Sequence, residues 1–197
     1  MSGFIVIEGL DGVGKSTLVN KLADEYAGHA MSTPGPALRD VRQLVLGAFA
    51  HDEIAKALFY TASVSSEGKK ARLLADSGEW VFMDRYWAST LAYAQARGVT
   101  ANLDALSNSL TQSDLTILLQ LDEVERQHRL QTRGATVEDM ETLEPKFRKH
   151  VLEELQARAD LIVDISGLAE VDAAEKLSRA IRDHLALIQN KKLKVST

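Results

Sequence analysis

Cysteine is absent from the chain. That excludes disulfides, thiolate metal sites and cysteine nucleophiles, and it suits a reducing compartment. Positive charge is in deficit, with 23 Lys and Arg against 28 Asp and Glu and a formal net charge of −5. A broad nucleic-acid footprint needs the opposite balance. No apolar run approaches the roughly 20 residues of a membrane span. The N-terminus enters a strand-like FIVIE without a basic region or cleavage site. The expectation is a soluble, cytoplasmic protein that engages neither nucleic acid nor membrane. Proline is scarce, and two of the three prolines sit in TPGP (33–36), which must be a loop. His29, His51, His128, His150 and His184 form no ligand-like pair, so no protein-built metal site is expected.

What is present fits one α/β domain over residues 1–197, with 45% hydrophobic and 26% charged residues. Short β-rich runs stand at 4–8, 80–84, 115–122 and 161–166, with a weaker one at 29–33. Between them, Met140, Leu143, Phe147, Val151 and Leu155 recur at helical spacing, as do Val171, Ala174, Leu177, Ile181, Leu185 and Ile188. Buried strands alternating with amphipathic helices predict a five-stranded parallel sheet flanked by helices.

The stretch GLDGVGKS (9–16) fits G-x-x-x-x-G-K-[ST], after a predicted strand and before a predicted helix from Thr17 to about Tyr26. Gly9, Gly12 and Gly14 let backbone N–H groups converge on phosphate oxygens, and the helix N-terminus adds partial positive charge. Lys15 then reaches the β- and γ-phosphates of ATP, and Ser16 offers a hydroxyl to Mg²⁺. The ATP site is therefore expected on Gly9, Asp11, Gly12, Val13, Gly14, Lys15, Ser16 and Thr17.

A phosphate-binding loop serves GTPases, ATPases and small-molecule kinases alike. A GTPase reading is weak, since Asn20-Lys21 lies inside the first helix with the wrong spacing to Asp24. The strand at 80–84 runs into Asp84 and Arg85, a pair costly to bury without a purpose. Beside the phosphate-binding strand, Asp84 suits a metal-linked carboxylate, joining Ser16 as the metal side. Arg85 offers paired donors to a second phosphate. Ser89, Thr90 and Tyr93 follow on one helical face, where they would line an acceptor pocket.

Two stretches, FIVIEGLDGVGKST and DRYWASTLAY, resemble the thymidylate kinase family of nucleoside monophosphate kinases. The pattern E-G-x-D-x-x-G-K-S-T is met by Glu8 through Thr17, and Asp-Arg-Tyr with x-x-Ser and Ala-Tyr by Asp84 through Tyr93. The resemblance implies a P-loop NTPase fold with a mobile lid, transfer of the ATP γ-phosphoryl group to a deoxynucleoside monophosphate, dTMP foremost, and a homodimer joined through helices in 40–78. It puts Asp11 near the acceptor's sugar and phosphate, Arg85 and Arg42 on that phosphate, Tyr93 against the sugar and Phe59 on the base. By pattern alone Phe59 also fits helix core, and Arg42 a solvated helix arginine.

Several positions depart from the family. Ser63 stands where an arginine usually reads the thymine edge, Ser32 replaces the arginine of the loop after the second strand, and Gly12 replaces a loop arginine that some members use in catalysis. Phosphoryl transfer needs positive charge around the moving group. The segment 126–141 resembles the lid, so Arg129 and Arg133 are expected to supply it, with Arg126 in the same row and Asp139 where many members have a further arginine. The expected catalytic set is thus Lys15, Asp84, Arg85, Arg129 and Arg133. A P-loop kinase for another nucleotide or a free deoxynucleoside, or a nucleotide-binding module with weak catalysis, stays open.

Overall fold

A computed structural model describes residues 2–134 and 137–195. Ala135 and Thr136, inside the expected lid, lie outside the described residues. Five strands, β1 (Gly3–Glu8), β2 (His29–Ser32), β3 (Trp80–Asp84), β4 (Leu115–Gln120) and β5 (Leu161–Asp164), form one sheet in the order β2-β3-β1-β4-β5. Every pairing is parallel, as the alternation of buried runs with helices predicts.

All six residues of β1 are buried, so it takes the centre. Its alternate side chains divide between two layers. Ile5 and Ile7 pack with Phe82 against α1 (Lys15–Glu25), α5 (Trp87–Ala96), α8 (Pro145–Arg158) and α9 (Glu170–Val195). Phe4 and Val6 pack with Val81 and Met83 against α4 (Glu53–Asp76). The remaining helices are α2 (Pro36–Arg39), α3 (Arg42–Phe49), α6 (Glu123–Arg133) and α7 (Val137–Glu141), with a 3₁₀ turn at Leu103–Ser109. Among the described residues no helix is long and apolar enough to cross a membrane.

Several boundaries differ from the sequence expectation. The apolar stripe over 140–155 is split between α7 and α8, because Pro145 starts a new helix and the Glu144 carboxylate caps it, accepting from Lys146 N at 3.0 Å. Met140 is accordingly exposed, while Val151 and Leu155 are fully buried. The fourth strand stops at Gln120 rather than 122. There Asp122 caps α6, accepting from Val124 N and Glu125 N at 3.0 and 3.1 Å.

This strand order also fixes where a ligand fits. The chain leaves β1 toward β2 on one side and leaves β3 toward β4 on the other. The carboxyl ends of adjacent β1 and β3 therefore open a crevice. Ile7 is in register with Asp84, so the loop after β1 and the Asp84–Arg85 pair face each other across it.

Candidate active site

The loop after β1 curls through positive φ at Gly12 (+88°) and Gly14 (+98°), and Gly14 opens α1. A Cβ at Gly12 would lie 2.9 Å from the Leu130 side chain, so a larger residue here would have to push that side chain aside. Lys15 is buried and donates from Nζ to the Leu10 carbonyl at 2.8 Å. Burial, and next the Arg85 charge, push its pKa down to about 8, against the pull of Asp11, Asp84 and Glu8.

Across the crevice the Ser16 hydroxyl donates to Asp84 Oδ2. Asp84 Oδ1 is buried with no hydrogen-bond partner among the described residues. A buried carboxylate oxygen left unpaired is costly unless a cation completes it. One carboxylate oxygen and one hydroxyl, both hard donors, fit Mg²⁺ bound chiefly by phosphate oxygens and water. Among the described residues no cluster of three His, Asp or Glu could hold a metal unaided.

Arg85 has φ +64°, unusual for a non-glycine residue. Its backbone is pinned on both sides: Arg85 N donates to Ile7 O at 3.0 Å, and Thr33 Oγ1 donates to Arg85 O at 2.9 Å. The guanidinium donates to Asp11 Oδ1 at 2.6 Å and to Ser89 Oγ at 3.0 Å. Burial alone would raise the Asp11 pKa, but the Arg85 and Lys15 charges hold it well below the usual carboxylate range. Tyr93 donates to Asp11 Oδ2 at 3.2 Å, and burial raises its pKa to about 12.

Behind these groups sits Glu8, fully buried. It accepts from Tyr86 N at 2.9 Å, from Ser89 N at 3.1 Å and from the Ser89 hydroxyl. Burial raises its pKa, partly offset by the Ser89 bonds. Glu8 thus caps the start of α5 and turns the Ser89 oxygen toward Arg85. The sequence signal for it was a lone carboxylate closing an otherwise apolar strand.

A cavity of about 1080 Å³ opens over this cluster, at the upper end of the range for one small ligand. Asp11, Gly12, Gly14, Lys15, Ser16, Thr17, Arg42, Asp84, Arg85, Ser89, Thr90, Tyr93, Arg129 and Arg133 line it together. Gly9 and Val13 do not: Gly9 crosses close to the Leu119 backbone, and the Val13 side chain is buried in the core. Arg42 donates from Nε to the Tyr60 hydroxyl at 2.9 Å.

Two residues expected on the acceptor side also fall outside the cavity wall. Phe59 packs edge-to-face on Tyr60, and Ser63 is wholly buried, its hydroxyl without a partner among the described residues. The lining residues of α4 are Glu53, Ala57, Tyr60, Glu67 and Lys70. Tyr60, Glu53, Arg97 and Arg39 are lining residues that the sequence did not single out.

The arginine row also divides. Arg126 is buried, forks onto Glu123 at 2.8 and 2.9 Å, and donates to the carbonyls of Asp11 at 2.9 Å and Thr142 at 3.0 Å. It ties α6 to the loop and points away from the cavity. Arg129 reaches the Val13 carbonyl at 3.3 Å and pairs with Glu125, while Arg133 pairs with buried Asp139 at 2.7 Å.

Known proteins similar to this chain share one description. A family model described as Thymidylate kinase matches residues 7–182. The chain is 31% identical to the thymidylate kinase of Shewanella amazonensis, covering 94% of this chain and 95% of that one. It is 32% identical to a probable thymidylate kinase of Pyrobaculum aerophilum, covering 91% and 98%. In fold it is similar to the thymidylate kinase of Candida albicans, with a TM-score of 0.73 at 23% identity over 93% of this chain.

Proposed function

The chain belongs to the thymidylate kinase family, and from that premise we propose that it transfers the γ-phosphoryl group of ATP to the phosphate of dTMP. The observation that carries this reading is Arg85, fixed in an unusual backbone conformation by Ile7 and Thr33, with its guanidinium held between Asp11 and Ser89. A clamp so mounted, across from Lys15, suits a second phosphate rather than a solvated surface.

Little covalent work is asked of the protein, because positioning and charge neutralisation supply most of the rate. The loop N–H groups and Lys15 hold the β- and γ-phosphates. Ser16 and Asp84 are the residues that would hold Mg²⁺, which supplies neutralisation of the charge shared between those phosphates. Arg85, with Arg42, aligns the acceptor oxygen with the γ-phosphorus. Asp11 and Tyr93 border the sugar. Arg129 and Arg133 add charge from the lid, whose closure keeps water from intercepting the phosphoryl group. Since Arg126 and Leu130 are buried against the loop, the moving part of that lid begins beyond them.

The same reading makes residues 1–197 one cytoplasmic kinase domain that pairs as a homodimer. Val41, Leu44, Ile54, Leu58 and Leu73, all exposed on or beside α3 and α4, support that pairing. The test is an acceptor screen with Mg·ATP across ribo- and deoxynucleoside monophosphates and free nucleosides, reading ADP release. dTMP is expected to stimulate it most. Turnover of nucleosides alone, or of no acceptor, would overturn the reading.

A further inference from the structure

If the cavity takes a nucleoside monophosphate, its base needs a reader, and Ser63 is buried outside the wall where the family's arginine would act. Two charged residues, Arg97 and Glu53, meet beside the Tyr93 ring. The Arg85 guanidinium lies 5.2 Å from the Tyr93 ring centroid and shares Asp11 with the Tyr93 hydroxyl. The Arg97 guanidinium lies 5.5 Å from the same centroid but is anchored elsewhere, forked onto Glu141 at 3.2 and 2.6 Å. Glu53 faces Arg97, with Oε2 at 3.9 Å from Arg97 Nε.

Their unused atoms are the informative ones. Glu53 Oε1 is taken by Lys56 at 2.6 Å, whereas Oε2 is buried with no hydrogen-bond partner among the described residues. In Arg97, Nε and Nη2 serve Glu141, and Nη1 makes no hydrogen bond among the described residues. Both residues line the cavity, and small Ala57 and Ala94 line it on the same two helices. The site therefore offers one anionic acceptor beside one cationic donor.

We propose that Glu53 and Arg97 read the pairing edge of the acceptor base, replacing the arginine missing at Ser63: Glu53 Oε2 accepts the N3–H of thymine, and Arg97 Nη1 donates to the neighbouring O4. Cytosine reverses both groups, with an unprotonated N3 facing the carboxylate and an amino group facing the guanidinium. Two like-with-like contacts in a buried site reject it more strongly than a missing methyl group would. The inference rests on the proposed monophosphate kinase activity.

The test compares kcat/KM for dTMP, dCMP and N3-methyl-dTMP in the wild type, Glu53→Ala and Glu53→Gln. The wild type is expected to favour dTMP over dCMP and over N3-methyl-dTMP by roughly a hundredfold or more. Glu53→Ala lowers kcat/KM on dTMP by roughly tenfold or more while sparing dCMP, so the ratio collapses. Glu53→Gln, which keeps an acceptor oxygen, retains part of the preference. A structural role alone would lower all acceptors together, so an unchanged dTMP/dCMP ratio in Glu53→Ala overturns the inference. So does wild-type turnover of N3-methyl-dTMP as fast as dTMP, whatever the variants' folding. Absence of wild-type turnover with every monophosphate would instead overturn the kinase reading, and the inference with it.

Discussion

Lys15 carries the clearest consequence of burial at the level of single residues. Its cation is desolvated and sits near the Arg85 charge, which brings its pKa down to about 8. The protonated form, which attracts phosphates, is therefore full below that pH and lost above it. Nucleotide affinity of the free protein is expected to weaken from pH 7 to pH 9 in calorimetric titration, and a flat profile would contradict this. Arg85 cannot cause the trend, because Asp11 outweighs its burial and holds its pKa well above the ordinary value. Gly12 gives a second outcome. Putting an arginine there forces a side chain into φ +88° and against Leu130. Gly12→Arg is expected to lose about 1–2 kcal/mol of stability in urea unfolding and to gain no activity.

At the scale of elements, α6 separates two kinds of arginine. Arg126 satisfies two backbone carbonyls and a carboxylate while buried, so Arg126→Ala leaves those groups unpaired. A loss of about 3 kcal/mol in denaturant unfolding is expected. Arg129 is a third exposed and pairs with a partly exposed Glu125. Arg129→Ala should change stability by less than about 0.5 kcal/mol but lower kcat. Equal stability losses would contradict the division.

The sequence row Arg126, Arg129, Arg133 did not reveal this split, because it depends on which side of α6 meets the loop. The strands, the phosphate-binding loop and the Asp84–Arg85 junction were legible, since each is a local pattern of burial or glycine spacing. The α4 register was not. Its buried stripe is Ala57, Thr61, Val64, Gly68, Ala71 and Ala75, small or polar, while Leu58 and Leu73 are exposed. Gly68 is there because a Cβ would lie 1.8 Å from the Tyr86 hydroxyl. A helix without an apolar stripe gives no signal of its facing, and the expectation for Phe59 came from the family resemblance alone.

For the whole molecule, sheet order does the assembling. Placing β1 between β3 and β4 brings Glu8, the phosphate-binding loop and Asp84–Arg85 to one crevice, though they are far apart in the chain. On this basis Asp84→Asn is expected to weaken the Mg²⁺ requirement and activity while changing Mg²⁺-free nucleotide binding little. Equal loss in both would show that Asp84 serves the fold rather than the metal side.

The central claim is the direction of transfer, and it is tested most directly by following the label from [γ-³²P]ATP. With dTMP present, the label should appear in the β-phosphate of dTDP, and Arg85→Ala should reduce that product by at least roughly a hundredfold. Label released as inorganic phosphate, or carried onto thymidine in preference to dTMP, would contradict it.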